Sequence, residues 1–376
     1  MVRFIHTSDW QLGMKGRGLG EAGQIARQTR LESVRNVLKS AQDHEVDFLL
    51  LCGDVFEHNM ISQEDVKRLV SIFNEYAGTP IYLLPGNHDM LGAGCIYNRG
   101  IFGRVRHLVI LDTCDPVQVS DTFLHPCPVS SKFPRHDLTA TIPVVHEVDG
   151  IHIGVAHGSV LGKLPVSNWE DVDLPIDISC VERTGIDYLA LGHWHSQRTF
   201  EDNTGAPRIA YSGTHEQTNY GEDNAGYCLL VHIDGKGCPP QIRPIQTGQL
   251  KWTSRDFAMK DPASIQELKA YLESIREVDM VRLAFNGELP LELKEELDAL
   301  LEFETTRHRH VRIELDSLDI KAPFRLETEV DLGDPVLNQT DVYLRTLLAD
   351  ENHPKSKKVI TEAIMRLQRF AKEVEA

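Results

Sequence analysis

The 376-residue chain has seven cysteines and no CxxC pair. Cys52, Cys95, Cys114, Cys127, Cys180, Cys228 and Cys238 are scattered, most of them in or beside apolar runs. That is the usage of reduced core cysteines, and it argues against a disulfide framework and a structural zinc site. No stretch approaches the roughly 20 apolar residues of a membrane-spanning helix. The opening MVRFIHTSDW turns polar too soon for a secretory leader. A soluble, cytoplasmic protein without membrane attachment is therefore expected. Basic residues are also scarce: 39 Lys and Arg face 56 Asp and Glu, a net charge of −17. Phosphate contacts need cations, so autonomous tight binding to DNA is disfavoured. A nuclease is not excluded, because bound cations offset carboxylates and a partner can carry the basic surface.

Hydrophobic residues make up 41% of the chain, enough for a sizeable core. VRFIHT (2–7), VDFLLLC (46–52) and TPIYLLP (79–85) read as buried strands, alternating with amphipathic helices near 24–43 and 62–77. This alternation predicts an α/β sheet with parallel pairs. From about residue 105 short strands dominate: HLVIL, IHIGVA (151–156), IDYLAL (186–191), RIAYS (208–212) and GYCLLVHI (226–233). Two packed sheets flanked by helices fit that pattern. A boundary falls near 240–258. Beyond it, a helix near 263–276, strand 279–285, a helix near 290–303 and strand 310–315 form a compact unit. Residues 341–375 are helical in pattern, broken by the polar NHPKSKK at 352–358.

Five polar clusters each follow an apolar run: Asp9-Trp10-Gln11, Gly53-Asp54, Gly86-Asn87-His88-Asp89, His157-Gly158 and Gly192-His193-Trp194-His195. Ligands bind at the C-terminal ends of strands in such sheets. A lone His or a Gly-Asp pair is most often a structural residue or a turn. Five coincidences at strand ends in one chain are not. Oxygen and imidazole donors without thiolates suit Mn, Mg, Fe or Zn. The adjoining glycines suit sharp turns and close backbone approach.

The order of these clusters resembles the calcineurin-like metallophosphoesterases, whose signature runs D-x-H, GD, GNH[ED], H, GHxH. Gln11 is the one departure. FIHTSDWQLG, GDVF, PGNHD and YSGTHE (211–216) resemble the SbcD-type and meiotic-recombination-eleven nucleases of double-strand-break repair. The likeness covers residues 1 to about 235 and is weak over the last 60.

The resemblance implies a four-layer αββα sandwich over 1–250, a small βαβ cap over 258–330 and a helical tail over 331–376. It implies two divalent ions, most simply Mn, sharing Asp54. One is held by Asp9, Gln11, Asp54 and His195, and the other by Asp54, Asn87, His157 and His193. His88 becomes the acid at the leaving oxygen, with Asp89 orienting it by hydrogen bonding. Two dications neutralise the phosphodiester and align in-line attack. The implied function is a DNA exonuclease, with single-strand endonuclease activity in view, working in repair as a homodimer beside an SbcC-type coiled-coil ATPase. A phosphoesterase of another substrate class and a non-catalytic DNA-end scaffold are the alternatives.

Several residues keep two readings. Gln offers a poorer donor than imidazole. Gln11 ligates through its amide oxygen, bonds a metal-bound water, or marks a lost metal; the intact remainder of the set argues against decay. His58 either approaches the site or is a solvated loop residue. Tyr211 is a candidate for supporting the site or touching substrate. Arg309 and Arg312, in the basic run RHRHVR (307–312), either meet a DNA backbone or guard an edge strand. Trp10, Trp194 and Tyr220 either stack bases or wall the pocket. The C-terminal helical stripe docks either a partner or the chain's own cap.

Overall fold

The computed structural model describes residues 1–14, 22–162, 174–308, 310–321, 331–350, 354–355 and 357–375. They divide into two compact units, Met1–Trp252 and Thr253–Ala376.

The first unit holds two six-stranded sheets. The first sheet contains β1 (Val2–Thr7), β2 (Phe48–Cys52), β3 (Ile81–Leu84) and β4 (Leu108–Ile110). The second is built from β5 (Val117–Val119), β6 (Thr122–Cys127), β7 (Ile151–His157) and strands later in the chain. A short parallel pair, β8 (Ser159–Val160) and β9 (Pro175–Ile176), follows β7. Next come β10 (Tyr188–Gly192), β11 (Arg198–Phe200) and β12 (Ile209–Tyr211) of the second sheet. The hairpin β13 (Tyr227–Ile233) and β14 (Gln241–Gln246) then returns to the first. The orders are β14-β13-β1-β2-β3-β4 and β11-β12-β10-β7-β6-β5. β1, β2, β3 and β4 are mutually parallel, as are β6, β7, β10 and β12.

Strand alternation makes the layers. Val2, Phe4, Phe48, Leu50 and Cys52 face inward and meet Ile153, Val155, Tyr188 and Ala190 of the second sheet. Phe4 stacks on Phe48 at 5.1 Å between ring centroids and meets the edge of Tyr188 at 5.7 Å. Ile5, Leu49, Leu51 and Leu83 face outward under helices α1 (Ala22–Asp43) and α2 (Gln63–Glu75). α2 starts cleanly: Ser62 caps it by accepting from Asp65 N, and Glu64 and Asp65 lie at its positive end. The outer face of the second sheet is covered more thinly, by α3 (Cys180–Thr184) and the turn around Leu138 and Ile142. This is the αββα sandwich expected. Strands β5, β6, β11 and β14 are additions to the sequence reading.

The second unit is a three-stranded sheet in the order β15-β16-β17, formed by β15 (Trp252–Met259), β16 (Met280–Pro290) and β17 (His310–Lys321). Helix α4 (Pro262–Glu273) follows β15, capped by Asp261 in a reciprocal box with Ser264. β16 and β17 are parallel and joined through α5 (Leu291–Arg307), a βαβ crossover. β15 lies in the stretch read as a boundary. Its charged residues hide the buried Trp252, Phe257 and Met259. The tail forms α6 (Pro335–Ala349) and α7 (Lys357–Glu375). α7 lies against the unit's own sheet and helix: Lys358 Nζ donates to Leu315 O at 2.8 Å, Arg366 meets Asp298 at 3.2 Å, and Arg369 pairs with Glu295. Among the described residues no helix is long and apolar enough to cross a membrane.

Candidate metal centre

The parallel strands carry the five polar clusters to one end of the first unit, where β1, β2, β3, β7 and β10 all terminate. In the register of the second sheet, Gly192 lies beside His157. A side chain at Gly192 would strike the Cys52 carbonyl and come within 2.8 Å of Ser8 Cβ and His157 Nδ1. Four strand tips, those of β1, β2, β7 and β10, meet there, at a distance only glycine permits.

Asp9, Asp54 and His157 are buried, and one donor atom from each lies within 4.8 Å of the others. His157 Nδ1 donates to the Cys52 carbonyl at 2.8 Å. Its Nε2 therefore turns to Asn87 Oδ1 at 3.0 Å and Asp54 Oδ2 at 3.3 Å. In the neutral ring that nitrogen is an acceptor, as are both oxygens. Three lone pairs converging in a buried space repel unless a cation or an added proton lies among them. Burial lowers the basicity of His157, but the Asp54 carboxylate more than reverses this and raises its pKa. Burial likewise raises Asp9, against the pull of the His157 and His195 rings. His193, whose ring meets His157 edge-on at 5.2 Å, is held neutral, with burial and the neighbouring His157 lowering its pKa to about 3. Imidazoles and carboxylates around a shared point are the donor set of a divalent ion, which takes the place of any ring proton.

The first loop is unusually constrained. Asp9 and Gln11 hold φ of 54° and 41°, and Asp54 and His193 hold 53° and 102°. Such values are uncommon for residues with a side chain and need surrounding restraint. Asp9 N donates to Gly53 O at 3.0 Å and Gln11 N to Asp54 O at 2.9 Å. His193 N reaches both carboxylate oxygens of Asp9, at 3.1 and 3.0 Å. Ser8 Oγ donates to the same carboxylate at 2.5 Å and bonds Ser212 Oγ at 2.8 Å. Beneath the loop lies Arg30, 2% exposed. It donates to Trp10 O at 2.5 Å, Thr214 Oγ1 at 2.7 Å, Glu216 O at 2.9 Å and Asp9 O at 3.2 Å.

Gln11 Nε2 lies 3.0 Å from His195 Nε2. His195 Nδ1 donates to Glu222 Oε1 at 2.7 Å. The structure thus brings together Asp9 with Asp54 and His157, Asn87 with His157, and Gln11 with His195. Arg30 and Glu222 escaped the sequence reading. Arg30 looks like an ordinary helix cation among Arg27 and Arg35. Glu222 follows the YSGTHE segment by six residues, with nothing local to mark it.

One assignment changes and three open readings narrow. Asp89 does not orient His88. Its carboxylate turns back into the loops, accepting from Gly86 N at 2.7 Å, Val55 N at 2.8 Å, Phe56 N at 3.2 Å and the Tyr97 hydroxyl. Consecutive residues in a tight turn point apart, so the ring of His88 instead donates from Nδ1 to Glu57 O at 2.9 Å. Burial and the Asp54 charge raise Asp89 to about 6. Tyr211 cannot touch substrate. It is fully buried, donating to Gly158 O at 2.6 Å and accepting from Val160 N at 2.8 Å, and so ties down the chain after His157. Trp10 cannot stack a base, being fully buried and donating to Thr7 Oγ1 at 2.9 Å. Arg312 is not a bare cation: on the edge strand β17 its Nε pairs with Glu314 at 2.8 Å, which Arg282 also engages. His58 lines a groove with Gly13, Met60, Ile61, Ser62 and Asp65, none of them in the predicted ligand set. Arg309 lies outside the described residues.

Fold and donor set together define a metal-dependent phosphoesterase class, and comparison gives the family. The model of the calcineurin-like phosphoesterases matches residues 2–197, and the chain belongs to that family. YhaO, a metallophosphoesterase of Bacillus subtilis, is 23% identical over 255 residues, covering 62% of this chain. The chain spans 57% of that relative's length. Among solved structures, TT1561 of Thermus thermophilus is similar over 65% of this chain and 99% of its own, at 11% identity and a TM-score of 0.41. A purple acid phosphatase from yellow lupin seeds is similar over 65% of this chain and 51% of its own, at 10% identity and a TM-score of 0.40.

Proposed function

We propose that the protein is a phosphodiesterase using two divalent cations, most simply manganese, and that its substrate is DNA. The observation that carries the chemistry is the convergence of Asp54, Asn87 and His157 lone pairs around one buried point. In this reading Asp9, Gln11, Asp54 and His195 hold one ion, and Asp54, Asn87, His157 and His193 the other. The cations would neutralise the phosphodiester oxygens and favour attack by water at neutral pH. The chain's own contribution is placement and a proton. The Cys52 carbonyl fixes the His157 tautomer, so Nε2 faces inward. The Glu57 carbonyl holds the Nδ1–H of His88, so Nε2 is the ring nitrogen left free, and only the imidazolium form, with a second proton there, could deliver one to the departing oxygen.

The DNA assignment rests on the spellings GDVF and PGNHD and on the βαβ unit β16-α5-β17. A repair exonuclease of the SbcD type, with an SbcC-type ATPase partner and a homodimeric assembly, is the corresponding biology. The net charge of −17 favours the competing reading, a small phosphoester as substrate. Incubation with Mn²⁺, labelled single- and double-stranded DNA and bis-p-nitrophenyl phosphate separates them. Cleavage of the small ester alone rejects the DNA assignment; no turnover of either rejects the enzyme. His88→Ala is expected to lower turnover by about 10²–10⁴-fold while Mn²⁺ binding persists.

A further inference from the structure

We propose that Glu222 is the positioning residue for His195, and through it for the cation site that His195 shares with Asp9 and Gln11; this rests on the phosphoesterase reading above. Glu222 is held before it meets the imidazole. Its Oε2 accepts from Thr218 N at 2.6 Å and Asn219 N at 3.0 Å, and its Oε1 accepts from the Thr218 hydroxyl. The base of this loop is fastened in turn. Gln217 brackets the Trp252 backbone, accepting from Trp252 N at 2.9 Å and donating to Trp252 O at 3.2 Å. The carboxylate is therefore a fixed acceptor. His195 must turn its Nδ1–H toward it at 2.7 Å, and only then does Nε2 lie 3.0 Å from Gln11.

The two ring-anchoring contacts differ in kind. His157 is anchored by an uncharged carbonyl, that of Cys52, whereas His195 is anchored by a carboxylate. A carboxylate partner both orients an imidazole and strengthens its remaining nitrogen as a donor. The stronger anchor serves the side where Gln11 replaces an imidazole by a weaker amide. In the set Asp9, Gln11, Asp54 and His195, His195 is the sole imidazole. The site that Gln11 weakens thus depends on Glu222 more than its neighbour depends on any single anchoring group.

The test uses the full chain with two readouts. Calorimetric titration with Mn²⁺ alone measures both sites. ¹⁵N spectra of the metal-free protein in alkaline buffer, with His195 assigned through His195→Gln, report which ring nitrogen carries the proton. Wild type is expected to carry it on Nδ1. Glu222→Ala should lose that preference and weaken one Mn²⁺ site by about 10–100-fold, leaving the other unchanged. Glu222→Gln preserves the shape without the charge. It should keep the tautomer and weaken the same site by less, and it decides the matter if the alanine variant does not fold. Affinities within about threefold of wild type at both sites, or equal losses at both, overturn the proposal. A wild-type protein that binds no Mn²⁺ rejects the phosphoesterase reading instead, while the tautomer still judges the Glu222–His195 link.

Discussion

Replacing Arg30 by lysine tests whether the first loop is held from below. The guanidinium makes four hydrogen bonds, three of them to the backbone carbonyls of Asp9, Trp10 and Glu216. Burial lowers its pKa only to about 10, so it remains a cation at neutral pH. An ammonium is a point donor and cannot span acceptors spread around a planar fork. Two acceptors left buried without a donor cost about 1–3 kcal/mol each, so Arg30→Lys should lower stability by about 4 kcal/mol. The left-handed conformations at Asp9 and Gln11 each store about 1–3 kcal/mol, and if they relax once the restraint is gone the loop moves and part of that loss is offset. The carboxylate of Asp9 would then leave its place beside Asp54 and His157. Urea unfolding of the metal-free protein measures the first effect and Mn²⁺ calorimetry the second. A variant within about 1 kcal/mol of wild type, with unchanged Mn²⁺ affinity, refutes the argument, since two orphaned acceptors in an unmoved loop cost at least about 2 kcal/mol.

Three further outcomes follow from the same contacts. His6 is buried between the Tyr188 hydroxyl at 3.0 Å and Leu191 O at 3.1 Å, and burial lowers its pKa to about 3. Its folded pKa lies below its unfolded one, so the stability it contributes is complete above about pH 6.5 and declines as pH falls toward 3. At pH 5 the loss is about 2 kcal/mol relative to pH 7, and it should vanish from the wild-type-minus-His6→Gln difference if the ring stays neutral in both states. Tyr211→Phe orphans Gly158 O and Val160 N, and should cost about 2 kcal/mol in urea unfolding without changing KM. A changed KM at full stability would return Tyr211 to the substrate. Gly192→Ala places a methyl on the Cys52 carbonyl, so a loss of about 3 kcal/mol and of Mn²⁺ binding is expected. An unshifted unfolding midpoint contradicts the close approach of the strand tips.

The sheet and the strand-end clusters were legible because both are local patterns. VDFLLLC is apolar at every position since Phe48, Leu50 and Cys52 face one layer while Leu49 and Leu51 face another. Polar residues after such a run fall at its tip, where Asp54 and His157 are found. Strand β6 was missed because His125 and Pro126 interrupt its pattern, although both are buried and paired with Gly154 and Val155 of β7. The role of Asp89 was misread because adjacency in sequence suggested contact, whereas its carboxylate closes a turn with Gly86, Val55 and Phe56. Arg30 and Glu222 act on residues far away in the chain. Arg30 reaches Glu216 and Glu222 reaches back to His195, and nothing in their own neighbourhoods marks either contact.

The backbone says more about Gln11 than its side chain does. Among the described residues eight non-glycine positions hold positive φ, and four of them, Asp9, Gln11, Asp54 and His193, belong to the predicted ligand set. The sandwich does not need this strain, since its core strands form without it. Strain of this kind persists where surrounding bonds over-determine the chain, and it gathers at sites of chemistry. Gln11 shares it fully: its φ is 41°, its N–H is fixed by Asp54 O, and its amide rests against His195. In the proposed ligand set, an amide where the family signature has an imidazole would alter the donor and leave its placement intact. In the proposed function, a side chain so placed shares the cation assigned to His195. Gln11→His should therefore strengthen Mn²⁺ binding at one site without disturbing the fold. If calorimetry shows no change, the amide of Gln11 serves His195 alone and the first cation is held by three residues.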